Sequence, residues 1–501
     1  MFFVNPFFDA LKSTDRERLV FSDGENAVHA GEIYDAAIAL ANGLQQKGFA
    51  AGDRAVLIIP PGKEFLETFF AIGLLKGTIA IIDPEMGRQN FESKLKQLNA
   101  KWVFIDSRLV LLKEHPVIRF FYLQFSKRPF YVSLPQKAKV ITTGKKLPLL
   151  TSDYHLNNLY QQVEKTIFAP AENHELVITY TSGTLAEPKG VVHTVGSLFE
   201  SLSLIRQQLG TNPGSRIGAY LPHFLLIGIC SGFPVLLFDK EKPAEWKYHF
   251  FTENKITTLF GPPSDFVPLI THCRENNCKL PSALSLILLG SAPVYPGFLS
   301  ELISVCDEHV VIRCMYGMTE NLVIAVADGR QKLAADVRGD YLGQPVDGIA
   351  LTVADDGEIL VNSPQLFARY LHLNQRETPH HSGDLGYFEN GILVLTGRKK
   401  DMIIRRDTNI YPAIYEKTIR AIPGVHEAVL VGHYRNDLHD EEVILFVEAE
   451  FSDEGKLMSE LTSGKNSIDR EALPDKIVFT KIPRAGRQNK VDRKALKQLL
   501  T

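Results

Sequence analysis

The chain has 501 residues, of which 45% are apolar and 23% charged, and its formal net charge is −3. That length exceeds what one hydrophobic core serves, so two or more domains are expected, and the charge argues against a nucleic-acid partner because nothing in the total offsets a phosphate backbone. The cysteines, at 230, 273, 278, 306 and 314, form no CxxC pair; this speaks against a zinc site or a disulfide framework and predicts buried or partly buried free thiols in a reducing compartment.

The first residues carry no basic n-region, and Asn5, Pro6 and Asp9 interrupt their apolar character. They read as a helix start, with Asn5 as N-cap and Pro6 at the first helical position, and not as a signal peptide. No apolar run approaches the roughly 18 residues of a membrane span, so a cytoplasmic enzyme is expected. Next come Arg54 to Pro60 (RAVLIIP) as a strand, Glu64 to Leu75 as a helix, and Thr78 to Ile82 as a strand ending at Asp83-Pro84. Phe91 to Leu98 reads as a helix and Trp102 to Ile105 as a strand. Such alternation is the signature of a parallel sheet covered on both faces.

The segment 118–134 sets six aromatics among three basic residues. It reads first as an irregular surface connection whose rings pack on the protein beneath; the sharper reading is an interfacial patch giving peripheral membrane contact or touching a long acyl chain. Strand-like runs recur at Leu176 to Tyr180, Thr258 to Phe260 and Leu284 to Leu289. No repeat of the solenoid kind is present. The character of the chain changes at Arg398 to Asp401, and about 100 residues beyond it suffice for a small separate domain. The expected units are therefore 1–399 and 400–501, an α/β fold with a large N-terminal domain of parallel-rich sheets flanked by helices and a small mobile C-terminal α/β domain.

Directly after the strand at Leu176 lies Tyr180-Thr-Ser-Gly-Thr-Leu-Ala-Glu-Pro-Lys-Gly190. Backbone N–H groups around Gly183, the hydroxyls of Thr181, Ser182 and Thr184, and the charge of Lys189 are what a polyphosphate needs on a strand-exit loop. The GxxxxGK[ST] spacing is absent, so this is no Walker A loop.

This stretch resembles the phosphate loop of the adenylate-forming superfamily, which includes acyl-CoA synthetases, carrier-protein ligases, nonribosomal adenylation domains and firefly luciferase. Further matches follow in that superfamily's order: GSAP (Gly290 to Pro293), YGMTE (Tyr316 to Glu320), GEI (Gly357 to Ile359), SGDLG (Ser382 to Gly386), GRKKDMI (Gly397 to Ile403) and NKVDRKAL (Asn489 to Leu496). The resemblance spans essentially the whole chain and implies an ATP-dependent enzyme that converts a carboxylic acid to its acyl-adenylate. It implies that Glu320 holds Mg2+ on the phosphates, that Thr319 hydrogen-bonds the α-phosphate, and that Tyr316, Gly317 and the backbone of Gly290, Ser291, Ala292 and Pro293 flank the adenine. Asp384 would accept both ribose hydroxyls, Arg398 would reach the ribose, and Asp401 would be the hinge. Lys490 would bridge the substrate carboxylate and the α-phosphate, a role that suits a compact charge on a long stem. His223, in LPHFLLIG, falls near the superfamily's acyl-pocket gate and is a candidate for substrate contact.

Three departures stand out. Leu185 and Ala186 replace a hydroxyl residue and a glycine in the phosphate loop; Arg405-Arg406-Asp407 stands where a glycine pair lines the pantetheine tunnel; and Arg487-Gln488-Asn489 precedes Lys490 in a longer form than usual. Asp83-Pro84-Glu85-Met86-Gly87-Arg88 is similar to a branch that includes β-lactone synthetases. The expected activity is activation of a carboxylic acid, taken as fatty, followed by transfer to a thiol of CoA or of carrier-protein phosphopantetheine. The alternatives left open are β-lactone formation from a β-hydroxy acid and a degenerate protein that binds nucleotide or acyl ligand without turnover.

Overall fold

The computed structural model describes residues 6–12, 15–24, 26–84, 88–126, 131–147, 150–161, 173–180, 189–210, 212–405, 408–435, 440–462, 468–485 and 490–500. Its first helix, Pro6–Lys12, starts on the proline that the sequence marks.

The alternating elements appear where the sequence places them: Arg54–Ile58, Lys63–Leu74, Thr78–Ile81, Arg88–Leu98 and Trp102–Asp106. Their strands belong to an eight-stranded sheet, mostly parallel, that also carries Lys139–Thr143, Glu175–Tyr180 and Gly190–Thr194. Side chains of one strand go alternately to opposite faces, and here both faces are covered. Ala55 and Leu57 join the large core that also holds Leu286 and Leu288 of the second sheet. Val56 and Ile58 pack on the far side against Phe91, Leu95 and Leu98. Burial on both faces is why these strands read as unbroken apolar runs.

A second, thirteen-stranded sheet begins with parallel strands such as Ile217–Ala219, Thr258–Gly261, Leu286–Leu289 and Val311–Met318. From Val311–Met318 onward it turns antiparallel, through Asn321–Asp328, Asp340–Pro345, Ile392–Arg398 and His380–Glu389. Cys273, Cys306 and Cys314 are buried in the core on its outer face, and all five cysteines are free.

Beyond the short turn Lys399–Asp401, the strands Val425–Arg435, Asp440–Ala449 and Lys476–Phe479 form their own sheet. The helix Pro412–Arg420 packs on it, and the two apolar clusters there draw only on residues from Ile403 onward. Among the described residues no helix is long and apolar enough to cross a membrane.

One expectation is corrected. The start of 118–134 is not irregular: Pro116–Ser126 is a helix. Tyr122 and Tyr131 do pack on the core beneath, but Phe120 and Phe121 stand out from it.

Candidate active site

The candidate residues come from strand ends and turns of both sheets. In the hairpin of Val311–Met318 and Asn321–Asp328, Gly317 bends the first strand at a bulge, just ahead of the turn Thr319-Glu320. A Cβ at this position would lie 2.0 Å from the Leu322 carbonyl oxygen, so only glycine fits. This bend carries Tyr316 on one side and Thr319 and Glu320 on the other. Strand register pairs Leu289 with Cys314, which lays the 290–293 segment beside Tyr316. Within that segment Ser291 holds φ +66°, a left-handed conformation that a non-glycine residue adopts at a cost, as at many ligand-binding turns.

Asp384 and Arg398 face each other across the strands His380–Glu389 and Ile392–Arg398. The Tyr316 hydroxyl donates to Asp384 Oδ2 at 2.7 Å. Arg398 Nε lies 2.9 Å from Oδ1, yet off the hydrogen-bonding direction, so this buried oxygen has a charge partner but no hydrogen bond among the described residues. Burial raises the Asp384 pKa, opposed by Arg398, by the Tyr316 hydroxyl and by Lys400. A carboxylate held this way is an acceptor waiting for donors.

The turn that presents Asp384 is braced from below by Glu358 of the GEI motif. Glu358 Oε1 accepts the Gly383 N–H at 2.9 Å, while Oε2 accepts from Lys399 Nζ at 2.9 Å and pairs with His381 Nδ1 at 2.9 Å. Burial works against this charge, but His381, Lys399 and the Gly383 N–H together hold its pKa below the usual value.

Glu320 is buried, and Tyr370 Oη donates to its Oε1 at 2.8 Å. The Tyr370 ring also lies under Lys189, whose Nζ is 5.2 Å from the ring centroid. One tyrosine thus links the metal candidate to the phosphate-loop lysine. It is set there by strand pairing with Gly190–Thr194 and by Arg369, which grips Glu175 through two bonds of 2.6 and 2.8 Å. Thr181, Ser182, Gly183 and Thr184, with Leu185 and Ala186, lie outside the described residues, so of the phosphate-loop candidates Lys189 alone is described.

Lys490 begins the short strand Lys490–Val491 and is close enough to Arg398, Asp384 and Lys400 for their charges to act on it. Burial lowers its pKa, Arg398 and Lys400 lower it further, and Asp384 opposes them. Asp401 Oδ2 lies 3.6 Å from Arg493 Nε, and Arg493 also makes two 2.8 Å bonds to Glu416. The turn at Asp401 is therefore tied to the segment that follows Lys490.

His223 sits in the first turn of the helix Pro222–Ser231. Desolvation by the surrounding protein pushes its pKa down to about 4. Phe224 lies 4.5 Å from it and Phe260 a further 4.7 Å on, and a Cβ on Gly290 would be 3.5 Å from Phe260. The candidate acyl wall thus runs to the candidate adenine loop.

Arg405 belongs to the segment expected to line a pantetheine tunnel. Its guanidinium turns into the C-terminal unit, donating to the Leu473 carbonyl at 3.0 Å and to Asp475. Arg406, Asp407 and Asn489 lie outside the described residues.

Residues 8–371 match the family described as AMP-binding enzyme. The chain belongs to that family. Among AMP-binding relatives, a 2-succinylbenzoate–CoA ligase of Listeria monocytogenes is 26% identical over 467 residues, covering 87% of this chain and 92% of the relative. A feruloyl-CoA synthase of Amycolatopsis is 25% identical over 437 residues, covering 82% and 81%. The solved O-succinylbenzoate coenzyme A synthetase of Bacillus subtilis, in complex with ATP and magnesium ion, superposes with a TM-score of 0.77 at 20% identity over 98% of this chain and 99% of that one.

Tyr370 and Glu358, which hold candidate residues or their neighbours in place, escape a reading of local motifs as site residues. Glu358 lies inside the quoted GEI match, and its spacing from SGDLG was the available signal. Tyr370 left none, because its role depends on pairing with a strand far away in the chain.

Proposed function

We propose that the protein activates a carboxylic acid with ATP and passes the acyl group to CoA. The observation that carries this reading is Asp384: a buried carboxylate with one oxygen bonded to Tyr316, the other lacking a hydrogen bond, and Lys490 within electrostatic reach. A ribose diol supplies the two donors this carboxylate lacks. Units 1–399 and 400–501 would meet over it, with Asp401 as the hinge.

In the first step a carboxylate oxygen attacks the α-phosphorus of ATP, the bond to the β-phosphate oxygen breaks, and pyrophosphate leaves. Two anions must be forced together, so the task is positioning and charge stabilisation. Lys490 would lie between the carboxylate and the α-phosphate oxygens, Thr319 would donate to the α-phosphate, and Lys189 with the Thr181–Thr184 loop would hold the outer phosphates. Tyr316, Gly317 and residues Gly290, Ser291, Ala292 and Pro293 would seat the adenine, and Asp384 with Arg398 the ribose. Glu320, a single carboxylate, suits a Mg2+ ion carried on a polyphosphate, since such an ion keeps phosphate and water as its other ligands and neutralises the developing charge. Tyr370 would aim that carboxylate.

In the second step the thiol of CoA attacks the acyl carbon, AMP leaves with the bonding pair, and the thiol proton is lost. CoA is adopted over a carrier protein because the relatives named above are CoA ligases. The row of rings at His223, Phe224 and Phe260 suits a flat, aryl-bearing acid, which those relatives also favour; the fatty-acid expectation rests on phenylalanine content and the 118–134 patch alone.

The test is pyrophosphate release over a panel of aryl, fatty and β-hydroxy acids, with and without CoA. Aryl-CoA formation is the expected result. Fatty acyl-CoA would reassign the substrate, a β-lactone formed without CoA would reassign the second step, and no acid-dependent release would overturn the reading.

A further inference from the structure

The helix Pro116–Ser126 turns four large apolar side chains outward. Val117, Ile118, Phe120 and Phe121 are 68, 42, 59 and 55% exposed. At 100° per residue these four fall on one arc of about 160°. Arg119, on the opposite side, is only half-buried. A helix of a globular surface shows the reverse, with its apolar stripe on the core and its charges in water. Phe120 and Phe121 pack edge-to-face with centroids 5.8 Å apart, an aromatic pair that leaves both rings available. Four large apolar side chains exposed within five consecutive residues mark a contact surface rather than ordinary scatter.

What surrounds the helix identifies its partner. Lys113, on the preceding helix, and Lys145 and Lys146 are exposed. The Lys145 carbonyl accepts from Ser107 Oγ at 2.7 Å, and Thr151 N–H donates to Glu114 at 3.1 Å, which lays the 145–151 segment along the helix Ser107–Glu114 that leads into Pro116. The nearby acids are engaged, Glu114 by that Thr151 N–H and Asp106 by Arg108. The chain continues with Lys127 and Arg128. A protein of net charge −3 thus carries exposed lysines on the helix that leads into this aromatic face and on the segment packed along that helix. Exposed apolar side chains with lysines on adjoining elements are the chemistry of a helix lying in the headgroup region of an anionic bilayer. A second copy placed face to face would set the same lysines against each other, which opposes self-association through this surface.

We propose that the helix Pro116–Ser126 docks the protein on an anionic lipid surface, with Val117, Ile118, Phe120 and Phe121 entering the acyl boundary and Lys113, Lys145 and Lys146 meeting the headgroups. Trp102–Asp106, which feeds these helices, and Glu175–Tyr180, which ends at the phosphate loop, belong to parallel-paired strands and leave the sheet at the same edge.

The test is flotation of the full chain with vesicles of phosphatidylcholine alone and of phosphatidylcholine with about 30 mol % phosphatidylglycerol. The expected result is flotation with the anionic vesicles, reduced at least tenfold in Phe120→Ser/Phe121→Ser while acid-dependent ATP–pyrophosphate exchange in solution is unchanged. Lys145→Glu/Lys146→Glu should lower binding to anionic vesicles and leave binding to neutral ones unaltered. Equal flotation of wild type and both variants, or none by the wild type, overturns the proposal. So does a wild-type dimer in sedimentation velocity that Phe120→Ser/Phe121→Ser converts to monomer without any vesicle binding.

Discussion

Asp384 and Glu320 are both buried carboxylates, and each is held by a tyrosine. Asp384 lacks a hydrogen bond at Oδ1, and this has a thermodynamic consequence. Two charge-assisted hydrogen bonds from a ribose diol are together worth roughly 3 kcal/mol or more. Asp384→Ala should therefore weaken MgATP binding by about a hundredfold or more in isothermal titration; affinity within twofold of wild type would remove Asp384 from the ribose site. Tyr370 carries a different expectation. Its hydroxyl donates to Glu320 and its ring lies under Lys189. Tyr370→Phe loses the first contact and keeps the second, so the Mg2+ concentration for half-maximal exchange should rise severalfold, in line with about 1 kcal/mol for one hydrogen bond. Tyr370→Leu should add a rise in KM for ATP. A change in stability without any shift in the Mg2+ requirement would make Tyr370 structural only.

The helix Lys63–Leu74 buries an acid that is not among the site candidates. Glu67 accepts a hydrogen bond from the Tyr160 hydroxyl, yet burial outweighs it and pushes the Glu67 pKa up to about 7 from 4.5. A carboxyl whose pKa is higher folded than unfolded favours the fold below about 4.5, and that contribution is lost as pH rises through about 7. The loss amounts to about 3 kcal/mol at most. Melting temperature should carry this loss between about pH 5 and 7 in the wild type, and Glu67→Gln should remove that component of the slope; parallel curves would contradict the assignment. Elements were legible in the sequence to the degree that their apolar pattern pointed inward. Arg54–Ile58 and Thr78–Ile81 are buried on both faces and read as plain apolar runs. Pro116–Ser126 reads as irregular because apolar residues fall at 117, 118, 120–123 and 125, which leaves no polar stripe to mark a helix. The motifs point to Tyr316, Glu320, Asp384 and Lys490 as candidates because each belongs to a short contiguous match. Tyr370 sits in a two-residue strand whose meaning comes from Gly190–Thr194, so no local window contains it.

At the scale of the molecule, the C-terminal unit is held against the rest by a few named contacts. Arg420, on the helix Pro412–Arg420, sets its guanidinium 4.0 Å from the ring centroid of Tyr295, just past the candidate adenine loop. Lys417 Nζ donates to the Gly339 carbonyl at 3.2 Å, and Arg338 donates to Tyr415 Oη at 3.0 Å and pairs with Asp469. The Arg338–Asp469 pair is more than half exposed and contributes little. Arg420 is largely buried, where a cation over an aromatic face is worth about 2 kcal/mol. Tyr295→Leu keeps apolar volume and removes the ring. It should lower the fraction of molecules with Lys490 in place and slow adenylate formation about tenfold, while transfer from supplied acyl-adenylate to CoA is unimpaired. Equal slowing of both steps would mean that the contact does not hold this arrangement.

The central claim is that Lys490 serves the attack of a carboxylate on the α-phosphorus of ATP. Acid-dependent ATP–pyrophosphate exchange, measured for wild type and Lys490→Ala beside MgATP binding by titration, tests it most directly. Exchange in the wild type that needs the acid, loss of at least a hundredfold in Lys490→Ala, and MgATP affinity within a few fold of wild type is the result predicted here, the loss equalling about 2.7 kcal/mol of barrier. Exchange that ignores the acid, or that survives in Lys490→Ala at the wild-type rate, would contradict it.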